Sequence, residues 1–123
     1  ALVGRLVIGP VAIAVQLFVL AGIFHLALLL VGGARRGFEA TLRVMAYAGA
    51  AGLWAVVPVC GGVLFSPVHY LVLAGIGFAK AHQIGGGKAV AAVLLPVLLL
   101  CCCCLGLGLA FWGSIAALVQ RGQ

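Results

Sequence analysis

Three groups of residues in this chain carry side chains able to do chemistry, and each implies its own requirement. Gly85-Gly86-Gly87-Lys88 has the glycines and the lysine of a phosphate-cradling loop. That motif also needs a glycine five residues before its Gly-Lys pair and a Ser or Thr after the lysine. His82 and Ala89 occupy those places, which leaves a flexible turn ahead of a basic helix flank. Cys101-Cys102-Cys103-Cys104 is the second group. On a helix successive residues point about 100° apart, so only Cys101 and Cys104 share a face. Zinc and iron–sulfur sites need ligands converging from separated turns, and no Cys/His pair is placed to complete one. The run reads as small apolar packing residues.

The third group is polar side chains inside long apolar runs: Gln16, His25, His69 and Tyr70. Ionisable groups at such positions are functional hypotheses by default when the solvent is lipid. A haem site would want two histidines at matching depth, whereas His25 and His69 fall toward opposite ends of their segments. A proton path would ordinarily show a carboxylate at depth, and the one acidic residue, Glu39, lies in a charged loop. His25 is expected to be a neutral hydrogen-bonding group, with Tyr47 or a backbone carbonyl as partner. No catalytic residue, cofactor-binding set or metal-ligand set is therefore expected.

The elements that must position these residues follow from composition. The chain has 123 residues, 67% hydrophobic and 7% charged, against about 25% charged in soluble domains. Water would meet a large apolar surface, at about 25 cal/mol per Å². Lipid removes that penalty, provided the backbone closes its own hydrogen bonds. Runs such as Ala89–Leu100 are apolar on every face rather than alternating, which favours helices over barrel strands. The expected fold is all-α, a polytopic transmembrane helical bundle forming one domain. Its four spans are placed at about 10–31, 44–63, 67–81 and 89–119, with loops at 32–43 and 80–88.

Local signals set these limits. Pro10 suits a first helical turn and Gly32-Gly33 a helix end. Ala46, Ala48, Gly49, Ala50, Ala51, Gly52 and Ala55 fill the second span with small residues, which permit close helix approach in lipid. Pro58 is expected to bend its far half. Gly61–Pro67 reads as an uncharged loop in which Ser66 caps the third helix. The last run is long for one crossing, so Pro96 is expected to kink it or its first turns to lie along the interface. Within it Cys102, Gly106, Ala110, Gly113 and Ala117 form one small-residue face for a partner helix.

Seven basic residues against one acidic give a formal charge of +6. They are spread over loops rather than gathered into the solvent-facing basic surface that nucleic acid requires. Loop 32–43 carries Arg35, Arg36 and Arg43 together with Glu39, and loop 80–88 carries Lys80 and Lys88. By the positive-inside rule both are cytoplasmic. Glu39 and Arg43 are spaced as a favourable helical pair. These six residues are the expected contacts for lipid headgroups or a cytoplasmic partner. Four spans then place both chain ends outside, which is simplest if a further span precedes Ala1.

The series His25-Leu26, Gly32-Gly33, Phe38, Thr41-Leu42-Arg43-Val44, Ala46-Tyr47, Pro58, Gly77-Phe78-Ala79-Lys80-Ala81-His82, Gly87-Lys88-Ala89 and Leu95-Pro96 resembles the Yip domain, and bacterial members most. The resemblance implies a multispanning membrane protein of about five helices, of which this chain would match the last four. Eukaryotic members of that family interact with Rab/Ypt GTPases. Ala50-Ala51 stand where family members often have a proline, and the four-cysteine run is foreign to the pattern.

The functional expectation is a non-enzymatic protein integral to a bacterial inner membrane. It would organise membrane or act as an adaptor through helix–helix and loop contacts, as a homo-oligomer or with other membrane subunits. The alternatives are a small oligomeric channel or transporter, with Gln16 and His25 lining a pathway, and an accessory subunit of a larger membrane complex. Conduction through liposomes that His25→Leu abolishes would favour the first alternative, and one stoichiometric heterologous complex the second.

Overall fold

A computed structural model describes residues 2–57 and 59–122, and of Ala55 the backbone. Helices α1 (Leu2–Leu30), α2 (Gly37–Ala48), α3 (Ser66–Ala81) and α4 (Gly86–Arg121) follow one another in the chain. A 3-10 segment, Gly49–Val56, prolongs α2, and a π-helical turn, Gly61–Phe65, runs into α3. Among the described residues there is no strand. Helix α1 packs on α2 and α4, and α3 packs on the same two, so the four form a ring. Among the described residues three stretches are long and apolar enough to cross a membrane: Leu2–Leu30, Gly61–Ala81 and Gly86–Arg121.

Several boundaries differ from those read in the sequence, for local reasons. Helix α1 begins at Leu2 and carries Pro10 in its interior. A proline there removes one backbone hydrogen bond, yet the residues on both sides of it are helical. The segment expected at 44–63 is not a single α-helix. Its first part belongs to α2, the small residues from Gly49 tighten into 3-10 geometry as far as Val56, and a turn follows. At about 1.5 and 2.0 Å per residue, α2 and its 3-10 extension together span roughly 34 Å. The bend expected at Pro58 lies outside the described residues.

Gly61–Pro67, expected as a loop, is helical. Ser66 makes no capping hydrogen bond, because helix already precedes it. Joined to its π turn, α3 gains the length that residues 67–81 lack. The two polar connections are also shorter than expected. Gly37–Arg43 belongs to α2, and α4 is already helical at Gly86 and continues through Pro96 without interruption.

Helix ends follow recognisable backbone chemistry. Gly32 has φ +68°, Gly33 N–H donates to Leu28 O at 2.7 Å, and Gly32 N–H donates to Leu29 O at 3.1 Å. This is the double closure of a Schellman motif, with glycine at the left-handed position. Helix α3 ends similarly: Gln83 is left-handed at φ 53°, and Ile84 N–H reaches Ala79 O at 3.1 Å.

The core sits at one end of the ring. Buried residues of α1 run from Ala21 to Leu28, and those of α4 are Ala89, Ala92 and Val93. Both groups lie beside the short connections 31–36 and 82–85. Phe24 and Phe78 meet at 5.9 Å between ring centroids, with Leu28, Met45 and Ile84 around them. Alanines 21, 48, 74, 89 and 92 in the same cluster let the backbones approach. Gly77 takes this furthest: a Cβ there would stand 2.5 Å from Val44 Cγ1. Away from this end, residues 2–16 of α1 and 98–121 of α4 include no buried position.

Candidate functional site

Polar groups from three helices and a loop meet inside that core. Thr41, on α2, has no exposed surface, and neither has His82, the residue that caps α3. His82 Nε2 lies 3.0 Å from Thr41 Oγ1, which in turn lies 2.9 Å from His25 Nδ1 on α1. Arg36 N–H donates to His82 Nδ1 at 3.3 Å. This last bond orders the rest. A nitrogen that accepts leaves the ring proton on the other one, so Nε2–H of His82 donates to Thr41 Oγ1. The threonine proton is then directed to His25 Nδ1, which accepts it, and the His25 ring proton resides on Nε2.

Apolar faces enclose this chain. Phe38 presents its ring at 90° to His25, with centroids 5.6 Å apart, and Phe78 flanks His82 at 6.3 Å. Burial holds the His82 imidazole below its ordinary pKa, and the nearby His25 adds to the effect. The His82 ring therefore favours the neutral state that the hydrogen-bond chain requires of it. Among the described residues no buried side-chain nitrogen or oxygen lacks a partner. Chemically the cluster is a lock. The bonds among its donors and acceptors join α1, α2, α3 and the 31–36 connection.

The partner of His25 is thus Thr41, not Tyr47 or a backbone carbonyl; Tyr47 is exposed. His69 belongs to a separate group at the other end of the ring. Trp54 Nε1–H donates to His69 Nδ1 at 2.7 Å, and Trp54 stacks on Phe65 at 5.6 Å. Gln16 is exposed beside Tyr70 and Gly49 in a shallow groove between α1 and the end of α2. Tyr70 directs its hydroxyl toward Met45 Sδ at 4.0 Å. No family model, characterised protein or solved structure matches the chain. Its function has to be argued from these groups themselves.

Arg35, Arg36, Arg43, Lys80 and Lys88 are exposed. Glu39 accepts from Arg43 at 2.8 Å in the helical pair expected of that spacing, which contributes little when so open to solvent. The hydrogen bond from Arg36 N–H to His82 brings the arginine-bearing and lysine-bearing connections to the same end of the ring. A Cβ placed on Gly33 would stand 3.0 Å from Ile84 Cδ1, which shows how closely the connections approach.

Cys101–Cys104 are all exposed, as is Cys60. The expectation that the four pack as small apolar residues is not met within this chain, because α4 has left its neighbours before it reaches them. Gly106, Ala110, Gly113 and Ala117 likewise meet no helix of this chain. Among the described residues, no three His, Cys, Asp or Glu side chains converge as a metal site. Sequence reasoning missed two members of the buried cluster, Thr41 and His82. A signal existed: with His25 they are uncharged polar residues at one depth, beside connections expected to share a face.

Proposed function

We propose that the chain is a membrane-embedded scaffold of Yip type. In this reading four helical segments cross the bilayer, the fourth being α2 with its 3-10 extension. Both polar connections face the cytoplasm of a bacterial cell, and the protein catalyses no reaction. The single observation that carries it is the bonding of Arg36, His82, Thr41 and His25 into one buried chain. That chain fixes the 31–36 and 82–85 connections side by side, with Arg35, Arg36, Lys80 and Lys88 in or next to them. A rigid cationic platform on an apolar base suits docking to anionic headgroups or to an acidic partner surface.

Association with a second membrane helix, from another copy or another subunit, belongs to the same reading. The face made by Cys102, Gly106, Ala110, Gly113 and Ala117 is exposed, and small residues at that spacing are what close helix packing in lipid uses.

Orientation decides the proposal. Single cysteines placed at Gln83 and at Val57, in a background without the five native cysteines, would be labelled from each side of sealed vesicles. Gln83 should react only from the cytoplasmic side and Val57 only from the other. Labelling of both from one side would remove the crossing by α3 and, with it, the arrangement of spans on which the platform rests.

A further inference from the structure

Between α3 and α4 lies a lateral groove of 440 Å³. Its walls are Leu71, Ile76, Val90 and Leu94, and Gly75 widens it: a Cβ there would still be 3.9 Å from its nearest neighbour, Val93 Cγ2. From Lys80 to Leu71 it follows α3 for about 13 Å. Its mouth, at the end with the basic connections, is formed by Lys80 and Gly86. Nothing stands within 4 Å of where side chains of Gly85, Gly86 and Gly87 would begin. The first turn of α4 holds no acidic residue and receives no side-chain cap. Lys88, in that same turn, is exposed.

We propose that this groove binds one molecule of an anionic phospholipid, an acyl chain between α3 and α4 and the phosphate at Lys80. The apolar walls fit a hydrocarbon chain, and charge decides the headgroup. Lys80 and Lys88 are positive, and the open N–H groups at the start of α4 add partial positive charge. The chain's one carboxylate, Glu39, is already held by Arg43. A zwitterionic headgroup would bring its own cation to a mouth that is already cationic. The inference rests on the membrane reading above, because only a bilayer presents such a ligand laterally.

Native mass spectrometry of the intact detergent-solubilised protein tests it, using phosphatidylglycerol and phosphatidylcholine of identical acyl chains. The first should be retained preferentially, as a single bound molecule. Lys80→Gln should lower that preference about fivefold, the effect of one lysine near an anionic surface. Gly75→Leu should reduce retention of both lipids by filling the groove. Ile76→Trp, at an exposed wall position, should do the same even if the glycine variant fails to fold. Equal retention of the two lipids by the native chain would overturn the proposal. So would a loss of preference as large in Arg35→Gln as in Lys80→Gln, since diffuse attraction would then suffice. Alkaline extraction of native membranes separates the two levels of argument. A chain released to the soluble fraction defeats the membrane reading itself, whereas a retained chain without lipid preference defeats the groove alone.

Discussion

Thr41 Oγ1 and His82 Nε2 lie 3.0 Å apart across 41 residues of chain, with neither side chain open to solvent. The hydroxyl also serves His25, so one oxygen holds two imidazoles and, through them, three helices. Removing it should cost more than an ordinary hydrogen bond. Thr41→Val keeps the shape but leaves buried nitrogen groups without partners, a loss of about 1–3 kcal/mol. Thermal unfolding in detergent should show a clear drop for Thr41→Val and a much smaller one for Thr41→Ser.

Acid should loosen the same cluster. The pKa of His82 is lowered in the folded chain, by burial and then by His25, so the unfolded chain binds the proton more readily. Stability from this group is fully present above the ordinary histidine pKa of about 6.5. It falls as pH drops below that value and through the lowered folded pKa. A protonated ring would also turn Nδ1 from an acceptor into a donor facing Arg36 N–H. The midpoint of thermal unfolding should therefore decline from pH 7 to pH 5, and His82→Gln should flatten that decline.

Gly77 marks the tightest crossing of α2 and α3. Its missing Cβ would stand 2.5 Å from Val44 Cγ1 and 3.3 Å from Cγ2, and Val44 is β-branched and stiff. Gly77→Ala should destabilise by about 1–3 kcal/mol through overpacking, although alanine is the better helix former. Combining it with Val44→Ala should restore part of the loss.

The two closures in the polar connections predict changes of opposite sign. Gly32 is left-handed at φ +68°, and Gly32→Ala should cost about 1 kcal/mol. Gln83, left-handed without being glycine, is the converse case, and Gln83→Gly should raise the unfolding midpoint by a comparable amount. Thermal scans of the two variants side by side check both signs.

The cysteine run should be structurally neutral. Because Cys101–Cys104 are all exposed, replacing all four with alanine should shift stability by no more than about 0.5 kcal/mol.

Much of the fold was legible because its signals are local. Apolar length implied helices, and Gly32-Gly33 carried the closing chemistry that ends α1. What escaped was governed by contacts. Gly49–Val56 is apolar enough for a helix of either kind, and only its neighbours fix the 3-10 form. Pro10 and Ser66 each carry a strong boundary signal, yet helix continues past both: Pro10 removes only one hydrogen bond of a long helix, and Ser66 follows a turn that is already helical. The site was half visible. His25 stood out as a polar residue in an apolar run, but its partners sit in segments that read as loop and loop-edge. Nothing in a linear pattern states that Thr41, rather than Tyr47 one and a half turns later, points inward.

The confinement of the core to one end has a consequence for mutational tolerance. Alanines 21, 48, 74, 89 and 92 and those in the outer part of α4, such as 110 and 116, are the same residue in similarly apolar helices. Enlarging the first set should be refused almost everywhere, whereas positions in the outer part of α4 off the small-residue face, Ala116 among them, should accept any side chain that lipid accepts. A saturation scan would therefore draw a boundary across α1 near Leu17 and across α4 near Val97. On one side selection would read shape throughout, and on the other it would read hydropathy except along the small-residue face of α4.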